Sequence, residues 1–194
     1  DEDVIQWCKE ATILARNNVS DANTSAQNTT SPASPSNPRA QNTASPTKSA
    51  QSIARNLTVE CANFNSPGQV VVSGSVLAVD ELEKLIKAKG IRGVLAKRLS
   101  VSAPFHCSLM QPAREKMKSL FANLPESERP KQPTIPYIAN VTANLTTEAA
   151  SILPLLEEQI DHPVLWTKSV QNLMAQGVTR AIEFGPGKVL QGLA

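Results

Sequence analysis

Ala103-Pro104-Phe105-His106-Cys107-Ser108 is the stretch on which the reading of this chain turns. It lies between a β-like run, Val94 to Val101, and an amphipathic helical stripe beginning at Leu109 and Met110. His106 is one of two histidines in the sequence. At a strand-to-helix corner an imidazole has a rigid mount and access to solvent, and the positive end of the helix dipole disfavours imidazolium. A neutral ring so placed is suited to general-base work. The competing reading is a capping or core histidine, and the surrounding residues decide between them. Cys107 suggests a Cys–His nucleophilic pair, but neighbours at a helix start diverge by about 100°. An inert, buried thiol is expected there.

Downstream, Ala113, Met117, Leu120/Phe121 and Leu124 continue the helical stripe, with Pro112 in its first turn. Ile135 to Val141 reads as a buried strand, Ile152 to Ile160 and Val164 to Met174 as helices, and Ala181 to Phe184 as a short strand. Gly185-Pro186-Gly187-Lys188 lacks the spacing of a phosphate loop and reads as a turn. Alternating strands and helices suggest a parallel α/β layer.

Upstream, Val4, Trp7, Cys8, Ala11, Leu14 and Ala15 share one face of a helix that starts with three acids among its first residues and their neighbours. From Ser20 to Ser52 there is no Val, Ile, Leu, Met, Phe, Tyr, Trp or Cys. Such a segment cannot offset its ordering entropy by burial, so residues 20–52 are expected to form a disordered insertion. Leu57, Val59 and Cys61 then alternate as in a strand, Ser66-Pro67-Gly68-Gln69 suits a type II turn, and Val70-Val71-Val72 reads as the returning strand. A helix follows from Val76 to Lys89, ended by Gly90 and Gly93. With Val94 to Val101 the order is α, β, β, α, β, a ferredoxin-like unit without its leading strand.

Composition sets limits. The 194 residues are 41% hydrophobic but only 4% aromatic, so aliphatic packing must dominate the core. A net charge of +2 gives no strong pull towards nucleic acid or membrane. Cys8, Cys61 and Cys107 are too few for a disulfide framework, have no zinc spacing, and point to a reducing compartment. No stretch approaches the roughly 20 apolar residues of a membrane span, and no secretory signal opens the sequence. His106 and His162 form no metal motif, so no metal is expected.

Four segments together resemble the malonyl-CoA:acyl carrier protein transacylase family. They are Asn63-Phe64-Asn65-Ser66-Pro67-Gly68-Gln69-Val70-Val71, Val101-Ser102-Ala103-Pro104-Phe105-His106-Cys107, His162-Pro163-Val164-Leu165-Trp166-Thr167-Lys168-Ser169-Val170, and Glu183-Phe184-Gly185-Pro186-Gly187-Lys188-Val189-Leu190. The resemblance implies an α/β fold. Residues 1–101 would form a ferredoxin-like small subdomain lacking its first strand, and 102–194 the C-terminal part of an α/β-hydrolase-like acyltransferase layer. It implies ping-pong transfer of malonyl from coenzyme A to the phosphopantetheine thiol of acyl carrier protein through an acyl-serine. His106 matches the family's catalytic histidine, and Gln159 the residue whose main-chain carbonyl holds that ring. Asn65 matches an asparagine near the acyl site, and Phe105 a bulky neighbour that excludes α-methyl groups. Malonyl-CoA is then a substrate, with no other cofactor. The expected setting is a monomer in the cytoplasm, or in a mitochondrial or plastid matrix, with neither nucleic acid nor membrane as partner.

Two family features are absent from these residues. No Gly-x-Ser-x-Gly occurs, and no arginine lies in the context that pairs with the malonyl carboxylate. The chain is therefore expected to be a C-terminal portion, inactive by itself. Lys84, Lys87, Lys89, Arg92, Lys97 and Arg98 form a basic cluster, either a solvated face or a docking rim for an acidic carrier protein. A second class of reading is a non-catalytic remnant or a secreted Ser/Thr-rich interaction protein. Asn18, Asn23, Asn28, Asn56, Asn140 and Asn144 all begin Asn-x-Ser/Thr sequons, although a stretch this rich in Asn, Ser and Thr makes them by chance.

Overall fold

The computed structural model describes residues 1–27 and 56–194. Helix α1 (Glu2–Gln27) is followed by strands β1 (Val59–Ser66) and β2 (Gln69–Gly74) and helix α2 (Val76–Lys89). A 3-10 turn at Ser108–Met110 leads into α3 (Gln111–Ala122), then β3 (Tyr137–Ile138), β4 (Leu145–Thr146), α4 (Ala149–Glu158) and α5 (Trp166–Ala175). The fold is mixed α/β. None of the described helices is long and apolar enough to cross a membrane.

The core gathers where α1 and α2 cover the β1–β2 hairpin. Cys8, Ala11, Ala15, Val59, Ala78 and Leu82 are buried together, with Val4, Trp7, Cys61, Val72, Val79 and Ile86 packed against them. Small residues on the inner face of α1 let the helix lie close to the sheet. Leu14, expected on that face, is turned outward. Polar clips fix the alignment: the Thr12 hydroxyl accepts the Val59 N–H at 3.1 Å, and Arg16 Nε donates to the Leu57 carbonyl at 3.0 Å.

The hairpin turns at Gly68, whose φ of 82° suits the third position of a type II turn. β1 pairs with β2 antiparallel, with register irregularities between Cys61 and Asn63 and between Phe64 and Ser66. Gly74 lies so close to the start of β1 that a Cβ there would stand 2.6 Å from the Val59 Cα. α2 has the bounds read from the sequence. It ends at Gly90 in the left-handed region, with Lys87 and Lys89 at the negative end of its dipole.

α1 remains helical to Gln27, eight residues into the segment read as disordered, and at Ser20 the hydroxyl donates to the Arg16 carbonyl at 3.0 Å. Residues 28–52 of that segment lie outside the described residues.

Three expected strands differ. Val94–Val101 forms no strand, with all eight residues exposed and Leu95 at 89%. Ala181–Phe184 is likewise irregular, and the 135–141 strand shrinks to Tyr137–Ile138, paired antiparallel with Leu145–Thr146. A strand requires a neighbouring edge for its ladder, and no described residue supplies one to 94–101 or 181–184. The expected parallel layer is correspondingly absent among the described residues, where both sheets are antiparallel pairs. One parallel bridge, Asn63 with Val164, joins the two halves of the chain. It is reinforced by Phe64 N–H to the Val164 carbonyl at 2.9 Å, Val164 N–H to the Ala62 carbonyl at 2.8 Å, and the Thr167 hydroxyl to the Phe64 carbonyl at 3.1 Å.

Candidate functional site

His106 occupies the corner before the 3-10 turn in a left-handed conformation, with φ at 59°. For a non-glycine residue that conformation costs about 1–2 kcal/mol, so neighbouring contacts must impose it. On one side Phe105 N–H donates to the Ala103 carbonyl at 3.0 Å, and on the other Met110 N–H donates to the Cys107 carbonyl at 2.9 Å. Cys107 is fully buried, its thiol donating to the Pro104 carbonyl at 3.2 Å. Burial pushes that thiol's pKa up. It is a neutral anchor, which argues against a Cys–His pair.

The corner is also tied to β1. The Glu60 carboxylate accepts the Ser108 N–H at 3.0 Å and the Ser108 hydroxyl, and the Thr58 hydroxyl donates to it at 3.1 Å. Glu60 thus caps the helical start two residues after His106. Sequence reasoning missed it. In an alternating strand a glutamate between Val59 and Cys61 reads as a solvent-facing residue, and no local pattern reveals a partner 48 positions away.

The imidazole itself meets α4. His106 Nδ1 lies 2.7 Å from the main-chain oxygen of Gln159. Gln159 follows the last residue of α4, its N–H still bonded to the Leu155 carbonyl at 3.2 Å. Carbonyls in a last helical turn have no intrahelical donor, which leaves this one free for the ring. Because a carbonyl oxygen only accepts, Nδ1 carries the hydrogen, and in the neutral ring the lone pair is then on Nε2.

Several contacts hold the Gln159 segment in place. The Gln159 side chain accepts from Asn140 Nδ2 at 3.3 Å, and the Asn140 carbonyl accepts the Leu165 N–H at 2.9 Å. Arg114 on α3 pairs with Asp161 at 3.1 Å. His162 Nδ1 lies 2.6 Å from the same carboxylate, placing this exposed histidine in a structural loop.

His106 and Gln159, far apart in sequence, are therefore in direct contact. Asn65 lies near the end of β1, half-buried and not hydrogen-bonded to either of them. Phe105 adjoins the histidine and is 47% exposed. Among the described residues no group of three or more His, Cys, Asp or Glu could hold a metal ion. The basic cluster is partly neutralised: Lys84 pairs with Glu81 at 2.7 Å, Lys89 with Glu10 at 3.3 Å, and Arg98 with both Asp80 and Glu83. Lys87, Arg92 and Lys97 have no ion-pair partner among the described residues.

No family model matches the chain. Curated relatives do. The malonyl CoA-acyl carrier protein transacylase of Salmonella typhimurium is 44% identical over 140 residues, covering 72% of this chain and 43% of the relative. That of Bacillus subtilis is 43% identical over 135 residues, 70% of this chain and 41% of the relative. Among solved structures, the malonyl-CoA:acyl carrier protein transacylase (FabD) of Xanthomonas oryzae superposes with a TM-score of 0.63 at 44% identity, over 70% of this chain and 41% of that one. FabD from Acinetobacter baumannii gives a TM-score of 0.69 at 31% identity over all of this chain and 46% of its own. The chain spans less than half the length of the relatives it matches.

Proposed function

We propose, on the premise that this chain belongs with the malonyl-CoA:acyl carrier protein transacylase family over its matched residues, that it carries the proton-transfer half of an acyl-transfer site. The observation behind this reading is the 2.7 Å contact between His106 Nδ1 and the Gln159 carbonyl. That contact orients the ring and selects the tautomer whose Nε2 accepts a proton. Nε2 removes the proton from a serine hydroxyl as it attacks the malonyl thioester, then returns it to the departing coenzyme A thiolate. In the second half-reaction it activates the carrier protein's phosphopantetheine thiol against the acyl-serine. Gln159 supports the imidazolium formed in each half through its carbonyl.

The serine and the carboxylate-binding arginine lie outside these 194 residues in this proposal. Asn65 contributes a polar group near the acyl chain. Phe105 forms an apolar wall that disfavours α-methyl substituents, a discrimination of about 1–3 kcal/mol for one methyl-sized misfit. Residues 1–101 form the small, ferredoxin-like subdomain and 102–194 part of the hydrolase-like layer. Malonyl-CoA and acyl carrier protein are the substrates, with Lys87 and Arg92 the better-placed cations for meeting an acidic carrier. The enzyme acts as a cytoplasmic monomer.

The test is a chimera in which this chain's matched residues replace those of the Salmonella typhimurium relative. Malonyl transfer from coenzyme A to holo-acyl carrier protein should be readily measured. His106→Ala should lower it about 10²–10⁴-fold while the circular dichroism spectrum is kept. Near-wild-type transfer by a folded His106→Ala chimera would falsify the assignment.

A further inference from the structure

Helix α1 meets the start of β1 through a ladder of side chains. Arg16 Nε donates to the Leu57 carbonyl at 3.0 Å, and one helical turn back the Thr12 hydroxyl accepts the Val59 N–H at 3.1 Å. A further turn back is Cys8, and two residues further along the strand is Cys61. Four helical residues advance about 6 Å and two strand residues about 6.6 Å, so helix and strand stay in step across the three rungs. Val59 and Cys61 share a face of β1, whose pairing is regular from one to the other. A side chain as short as threonine reaches a strand N–H only where the two backbones lie close, and the buried Ala11 and Ala15 permit that approach. Cys8 is 3% exposed, while Cys61 packs against the same cluster and remains partly open to solvent. Both thiols are free, and the acyl-transfer chemistry uses neither. The pair is also unequal. Cys8 donates to Cys61, which lowers the pKa of Cys61 and raises that of Cys8. The accessible member is thus the richer in thiolate, and the enclosed one keeps its proton, the asymmetry of an attacking and a resolving thiol.

We infer that Cys8 and Cys61 form a reversible oxidation site that takes a small peroxide as oxidant and yields a disulfide joining α1 to β1. The Cys61 thiolate attacks one peroxide oxygen, the O–O bond breaks and hydroxide leaves, giving a sulfenic acid at Cys61. The Cys8 thiol then attacks that sulfur, the S–O bond breaks, and the hydroxyl departs with the Cys8 proton as water while the S–S bond forms. Hydroxide takes back from solvent the proton that Cys61 had released. The two sulfurs together give up two electrons, and the peroxide becomes two waters. A peroxide is small enough for a partly covered sulfur, and a dithiol reverses the bond by exchange. In a reducing compartment such a bond is transient. The inference is independent of the role of His106.

The experiment exposes the folded 194-residue chain to hydrogen peroxide, blocks the remaining thiols with iodoacetamide in urea, and maps tryptic peptides without reduction. The three cysteines fall on separate tryptic peptides, 1–9, 56–84 and 99–114. A linked 1–9/56–84 pair is expected, at least tenfold more abundant than any pair containing 99–114, and abolished by dithiothreitol. Cys8→Ala should halt the reaction at Cys61 sulfenic acid, trapped by dimedone, and Cys61→Ala should leave Cys8 reduced in the folded chain. Along the sequence Cys61 is no closer to Cys8 than to Cys107, so oxidation in urea should erase the tenfold preference. The inference is overturned if the wild-type chain stops at the sulfenic acid or resists oxidation at Cys61. It is equally overturned if links to Cys107 or between two chains form in similar yield, or if the preference survives in urea, since the fold then does not direct the pairing.

Discussion

The ring of His106 is held by a main-chain oxygen, so the side chain at position 159 is separable from the task of holding it. Gln159→Ala removes only the amide contact with Asn140, and in the chimera transfer should stay within a few-fold of the parent. A loss as deep as that of His106→Ala would place the role in the Gln159 side chain instead. The cysteines give a second prediction. Cys8, buried in the core, donates to Cys61, which holds the Cys61 pKa below its usual value while that of Cys8 is raised. Burial raises Cys107 as well. A lower pKa means more thiolate at a given pH, so iodoacetamide at pH 8 should modify the half-exposed Cys61 first. Cys8 and Cys107 should react only once the chain unfolds, and peptide mass mapping over a time course decides it. At this scale the sequence was informative about chemistry and silent about conformation. The motif singles out His106 and its neighbours as a candidate site. Its left-handed φ had no signal, because a glycine would normally mark such a position and none is present. Glu60 as a cap was equally hidden, its partner being distant in the chain.

Among the elements, those shaped by their own periodicity were legible and those defined by a partner were not. α2 has the limits read from its apolar stripe and terminal glycines, and the Pro67-Gly68 turn sits between β1 and β2 as expected. The runs 94–101 and 181–184 were read as strands because apolar, branched residues mark a surface meant for burial. Such residues do not say which edge they pair with, and among the described residues none pairs with them. Two element-level predictions follow from close packing and pairing. Gly74→Ala brings a methyl against the Thr58–Val59 backbone and should destabilise the chain by about 1–3 kcal/mol. Arg114→Leu leaves the largely buried Asp161 carboxylate without its cation, at a cost of about 1–3 kcal/mol, and loosens the turn that carries Gln159. Urea unfolding followed by circular dichroism measures both. A midpoint unchanged from wild type would remove the corresponding interaction from the account.

For the whole molecule, the α1–α2–hairpin layer is the better-buried part, and the second half is tied to it through Glu60–Ser108 and the Asn63–Val164 bridge. Replacing residues 28–52 by a short Gly/Ser linker should shift stability by less than about 1 kcal/mol, since closure entropy depends only weakly on loop length. A larger loss in urea unfolding would show that the segment makes contacts its composition does not reveal. The joining of residues 63 and 164, and of 106 and 159, has a kinetic corollary. The first closure spans about half of the chain and the second 53 residues, and non-local contacts of this kind form slowly because their entropy must be spent before any contact is gained. On a ribosome the hairpin and its two helices can compact early, while the imidazole finds its carbonyl only after the α4 segment has emerged. Maturation of the site is thus a late event in the life of the polypeptide, and slowed translation between α2 and α4 should lengthen the interval in which it is open to proteases.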